Sequence, residues 1–67
     1  MMVEIECRLI DSGDIDRSFP TLEVAQLWVK GIGEEYFQWV EMSIGDVVIE
    51  GFWEILAYGR ESNQKVD

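Results

Sequence analysis

The stretch D-S-G-D-I-D places three carboxylates, Asp11, Asp14 and Asp16, close together in the chain. Hard oxygen donors of this kind suit calcium or magnesium. The spacing departs from an EF-hand loop, where acids at the first, third and fifth positions precede a glycine at the sixth. The stretch therefore reads first as a solvated acidic loop with Asp16 near Arg17, and a metal-binding loop at Asp11, Asp14 and Asp16 is the weaker alternative.

Other chemistry is poorly supplied. There is no histidine, the commonest general base at neutral pH. Cys7 is the one cysteine; it alternates in step with Val3, Ile5 and Leu9, which marks it as an inert packed thiol. A pair of carboxylates acting as acid and base would need a cleft, which so short a chain seldom builds. Gly31-Ile32-Gly33 lacks the third glycine and the lysine of a phosphate loop and follows a helical segment instead of a strand. These residues point away from an enzyme and imply no cofactor and no metal.

What remains is charge and apolar surface. The 67 residues carry 14 acidic and five basic side chains, a formal charge of −9. A field of that sign repels nucleic acid and acidic membranes and attracts basic surfaces. At 48% hydrophobic residues, with three Trp, three Phe and two Tyr, the chain is too apolar to stay disordered. One domain is expected over residues 1–60, with a polar tail over 61–67. A domain of this size has a thin stability margin, and without an internal disulfide or a Cys/His zinc set its natural staple is oligomerisation or a partner. M-M-V-E-I-E-C-R lacks the basic-then-apolar pattern of a signal peptide, and no apolar run is long enough for a membrane helix. The free thiol adds to the expectation of a cytoplasmic protein.

The elements that would position these groups follow from periodicity. Val3, Ile5, Cys7 and Leu9 alternate with Glu4, Glu6 and Arg8, the period of a half-buried strand. Asp11 to Pro20, rich in Asp, Ser, Gly and Pro, reads as a loop. Thr21 can cap a helix running to about Lys30, with Glu23 in its first turn. Val24, Ala25, Trp28 and Ile32 form its apolar stripe, Glu23, Gln26 and Lys30 its polar side, and Gly31 and Gly33 its stop. A second strand spans roughly Glu35 to Ile44, Gly45-Asp46 makes a tight turn, and a third strand follows from about Val47 to Tyr58, bulged or broken at Gly51. The fold class expected is α+β: a small three-stranded, mainly antiparallel sheet with one helix packed on one face, in the order β-α-β-β.

One such helix covers one face of the sheet. In E-Y-F-Q-W-V-E-M, Tyr36, Val40 and Met42 share one parity and Phe37 and Trp39 the other, so the second face is expected to carry aromatics. Contiguous exposed apolar surface usually marks an interface, and aromatics are enriched at interface cores. Glu4, Glu6, Asp11, Asp14, Asp16, Glu34 and Glu35 are expected along one rim, where spaced carboxylates imitate a phosphate backbone and fit a groove lined by lysine or arginine. The plainer reading is that this acidity keeps the protein in solution.

The strand M-V-E-I-E-C-R-L-I, the helix T-L-E-V-A-Q-L-W-V-K and the closing pair E-Y-F-Q-W-V-E-M-S-I and V-V-I-E-G-F-W-E-I-L-A-Y resemble, in size, acidity and layout, the small anti-CRISPR inhibitor proteins carried by phages and mobile elements. That resemblance, of style and not of motif, implies a stoichiometric inhibitor in a bacterial host that binds a nucleic-acid-handling complex and blocks DNA access or nuclease recruitment.

The expected partner is thus a protein with a basic nucleic-acid-binding surface, contacted by Asp14, Asp16, Glu34, Glu35, Phe37, Trp39 and Glu41, with Trp39 as the desolvated anchor. Direct contact with nucleic acid or a membrane is not expected. The alternative is an acidic housekeeping or assembly domain that homodimerises through its sheet face.

Overall fold

A computed structural model describes residues 2–60; the tail expected over 61–67 lies outside them. In chain order the elements are β1 (Val3–Leu9), β2 (Gly13–Phe19), α1 (Leu22–Ile32), a single 3-10 turn (Glu34–Tyr36), β3 (Phe37–Ile44), β4 (Val47–Glu50) and α2 (Phe52–Ala57). The α+β class is as expected, but the described residues form four strands and two helices. The sheet order is β2-β1-β3-β4, with every neighbouring pair antiparallel.

The expected loop from Asp11 to Pro20 is instead a turn followed by β2. Its register with β1 runs from Leu9 opposite Gly13 to Val3 opposite Phe19. The reversal needs the positive φ of 84° at Gly13, a conformation that glycine adopts at little steric cost. Ile15 and Phe19 point to the core from this edge strand. Between them Arg17 breaks the apolar alternation, laying its guanidinium 5.8 Å from the Phe19 ring centre and 5.7 Å from that of Trp28, a cation–π placement.

The expected third strand ends early. β4 stops at Glu50, Gly51 takes a φ of 107°, and the chain turns into α2. The spacing of Phe52, Ile55 and Leu56 is helical, and Ile55 is fully buried. The positive φ favours glycine at this reversal; a Cβ at position 51 would also lie 2.6 Å from Glu54 Oε1, a contact that the exposed Glu54 side chain relieves by moving.

Both helices lie on one face of the sheet. The core there is built of cross-strand rows, Phe19–Val3–Ile44–Val47, Arg17–Ile5–Met42–Ile49 and Ile15–Cys7–Val40. Ala25, Val29 and Ile55 close over it from the helices. Val3, Ile5, Cys7, Val29, Met42 and Ile55 are fully buried, and burying a side chain such as Val, Ile or Met stabilises by about 1.5–3 kcal/mol.

At its start α1 behaves as expected, with Thr21 Oγ1 accepting a hydrogen bond from Val24 N at 3.2 Å. It runs through Gly31 to Ile32 and is capped by Gly33, whose N–H donates to Val29 O. Its polar and apolar sides differ from expectation because α2 adds a second neighbour. Val24 is exposed, whereas Gln26 is buried and its Nε2 donates to Ile55 O and Tyr58 O, both at 2.9 Å. These bonds satisfy carbonyls at the C-terminal end of α2.

Candidate functional site

Among the described residues no element covers the second face of the sheet, which is bare in that sense. On β1 it presents Glu4, Glu6 and Arg8, all exposed. Cross-strand register then fixes its composition. One row across the sheet is Asp16–Glu6–Glu41–Glu50, with each acid directly opposite the next. A second row is Asp14–Arg8–Trp39 and a third is Ser18–Glu4–Ser43–Val48. Six carboxylates therefore share this face with one guanidinium.

Like charges directly opposite each other on neighbouring strands destabilise a sheet. The titration of the acids records that conflict. The Glu6 carboxyl is held above its ordinary value by a side-chain hydrogen bond to Glu41 first, then by the Asp16 charge. Glu4 is raised likewise, by a side-chain hydrogen bond to Asp16 and then by its charge. Asp14 is the exception. Arg8 Nε donates to its Oδ1 at 2.6 Å and Nη2 to its Oδ2 at 3.4 Å, which lowers the Asp14 carboxyl below the usual range. Beneath this face, burial pushes the Cys7 thiol up, with the Asp14 charge adding to it, and the thiol is fully buried.

Trp39 is the one large aromatic on the face and is 44% exposed. It stands beside a groove of about 530 Å³ whose walls include Glu34, Glu41, Glu50 and Phe52. The groove exists because β4 ends at Glu50 while β3 continues: the last bond on that side runs from Gly51 N to Val40 O.

The expected site residues are only partly brought together. Asp14, Asp16, Glu41 and Trp39 lie on the bare face, and Glu34 borders its groove from the 3-10 turn. Glu35 is exposed in the same turn but does not line the groove. Phe37 does not share a face with Trp39. Trp39 pairs with Arg8 and Phe37 with Leu9, so Gln38 is an extra residue in β3. This bulge reverses the side-chain alternation and turns Phe37 into the core, where its ring lies 6.5 Å from Trp28 and 6.0 Å from Phe52. Tyr36 likewise falls outside the strand. The bare face is therefore acidic with one tryptophan, not aromatic.

Glu6 and Glu50 complete the acidic row. Glu6 was legible as solvent-facing; Glu50 becomes visible only once the Gly45-Asp46 turn fixes Ile44 opposite Val47 and hence Glu41 opposite Glu50. As for metal, Asp11, Asp14 and Asp16 do not converge. Asp11 accepts from Ser12 Oγ, Asp14 holds Arg8, and Asp16 points to β1. Among the described residues the carboxylates that do converge are Glu4, Glu6 and Asp16, with oxygens within 4.8 Å of one another. All three are exposed.

No family model matches the chain, and neither a curated protein nor a solved structure matches it. No helix among the described residues is long and apolar enough to cross a membrane.

Proposed function

We propose that the protein is a non-enzymatic inhibitor that docks its bare sheet face on a basic, nucleic-acid-binding surface of another protein. It would thereby compete with nucleic acid or block nuclease recruitment. A CRISPR effector in a bacterial cytoplasm is the target that the likeness to anti-CRISPR proteins suggests. The observation that carries this reading is the row Asp16–Glu6–Glu41–Glu50. Folding gains nothing from four carboxylates in line, and local rules are usually broken where function requires it. Neighbouring strands lie about 4.8 Å apart, so the row is a rigid ladder of negative charge whose step is of the same order as the charge repeat per strand along the DNA helix axis, about 3.4 Å. Trp39, beside the row, supplies the aromatic anchor, and the groove next to it can take an arginine or lysine side chain.

Self-association through the same face is disfavoured by the same observation. Two copies face to face would oppose acidic rows with only Arg8 to offset them.

The test is capture from a bacterial lysate by immobilised protein, eluted with a salt gradient. Nucleic-acid-binding proteins should be retained at low salt and shed as ionic strength rises. The double reversal E6K/E41K should abolish their retention, and W39A should weaken it without changing the melting temperature. Retention that survives E6K/E41K, or that does not respond to salt, overturns the proposal.

A further inference from the structure

The opposite side of the molecule carries a second surface of a different kind. Leu27 on α1 and Trp53 on α2 are 67% and 61% exposed, although both belong to helices whose inner sides pack on the core. With Leu56 they line a groove of about 460 Å³ between the helices, and Val24, one turn before Leu27, extends the apolar strip at 42% exposure. Clustered exposed apolar side chains of this kind mark interaction surfaces.

Charge identifies the occupant. Glu23 and Lys30 bracket Leu27 along α1, and Arg60 closes the far wall of the groove. Among the described residues the one ion pair is Arg8 with Asp14 on the other face, and Glu23 and Lys30 pair with none of them. On a protein of net charge −9, this helical surface carries both signs in near balance, whereas the sheet face is almost wholly acidic.

The pattern Glu23–Leu27–Lys30 is self-complementary. At about 1.5 Å of rise per residue, Glu23 lies roughly 6 Å to one side of Leu27 and Lys30 roughly 4.5 Å to the other. Two antiparallel copies of α1 related by a two-fold axis near Leu27 would bring each Glu23 opposite the other copy's Lys30. A two-fold interface makes every contact twice, and Leu27 of each copy would enter the groove walled by Trp53 and Leu56 of its partner.

We propose that the protein forms a symmetric dimer through α1 and α2, centred on Leu27. This arrangement sends the two acidic sheet faces outward, away from each other, and supplies the oligomeric staple that a small domain without disulfide or metal often needs. It concerns a different surface from the inhibitory reading and stands without it.

Sedimentation equilibrium over a wide protein concentration range tests the dimer. The wild type should shift from one to two chain masses. L27D, at an exposed position, should stay monomeric while keeping the wild-type circular dichroism spectrum. E23K and K30E should each weaken dimerisation about tenfold or more, since each turns two attractive contacts repulsive, and the double variant E23K/K30E should restore it. A wild type that remains monomeric at all concentrations overturns the proposal and leaves the groove to a segment of another protein. So does a dimer that L27D leaves intact but E6K/E41K alters, or one that the double variant fails to restore.

Discussion

The two faces of one sheet show opposite economies. On the helix-covered face every cross-strand row is apolar except at Arg17, and helices close over it. On the bare face one of the two full-width rows is four acids, and none of the described residues covers it. Residues one step apart on β1, such as Ile5 and Glu6, thus belong to different energetic regimes. The covered face supplies stability, and the bare face subtracts from it. A domain with so thin a margin tolerates that subtraction only because the covered rows hold the strands in register.

The contrast is most sharply tested on its covered side. Ile55→Ala should lower unfolding free energy by about 2–5 kcal/mol, the range for truncating a buried aliphatic side chain. That is a large part of the roughly 5–15 kcal/mol of a typical domain, and chemical denaturation will measure it. A cost below 1 kcal/mol would mean that α2 is not integral to the core.

Next in size is the buried side-chain amide of Gln26. Gln26→Met keeps the side-chain length but removes the donor shared by the Ile55 and Tyr58 carbonyls, at an expected cost of about 1–3 kcal/mol. Faster amide exchange in α2 than in β1 of the variant would place the loss at the helix end. Uniform exchange would argue against that assignment.

On the bare face the sign should reverse. Glu6→Gln removes the centre of the acidic row and should raise the melting temperature at neutral pH by a few degrees. The pH dependence follows from the direction of the shifts. Glu4 and Glu6 are held above their ordinary value of 4.5 in the folded protein, so the folded state binds these protons more tightly than the unfolded chain does. Their contribution is fully present below that ordinary value and is lost as pH rises through the raised one. Asp14, lowered by Arg8, works the other way, losing its contribution as pH falls. The difference between Glu6→Gln and the wild type isolates the row, and it should close as pH drops below 4.5. A variant no more stable than the wild type at neutral pH would show that the row costs the fold nothing.

Much of the covered face was legible in the sequence. β1 declares itself by strict alternation, α1 by the Thr21 cap, and the β3–β4 hairpin by Gly45-Asp46, because each is a local rule acting on local residues. β2 was hidden because Arg17 occupies a core-side position at the sheet edge, where its charged head reaches water while its guanidinium rests near two rings. The helix α2 was hidden because its six residues are too few to form a helix alone and Phe52 and Trp53 extend the apolar run of β4. Contacts with the rest of the fold hold it helical. The acidic character of the bare face was legible in Glu4 and Glu6, but its aromatic content was overestimated. One bulged residue at Gln38 separates Phe37 from Trp39, and no local pattern announces it.

That bulge also separates inheritance from invention. Beyond it, Trp39, Glu41 and Ser43 on β3, with Glu6, Asp16 and Glu50 beside them, point away from every buried neighbour. Their letters can be rewritten with few repercussions for the scaffold beneath. The sheet therefore works as a small printing block, a fixed backing with interchangeable type. Substitutions there could alter the printed surface one residue at a time while the block itself stayed the same.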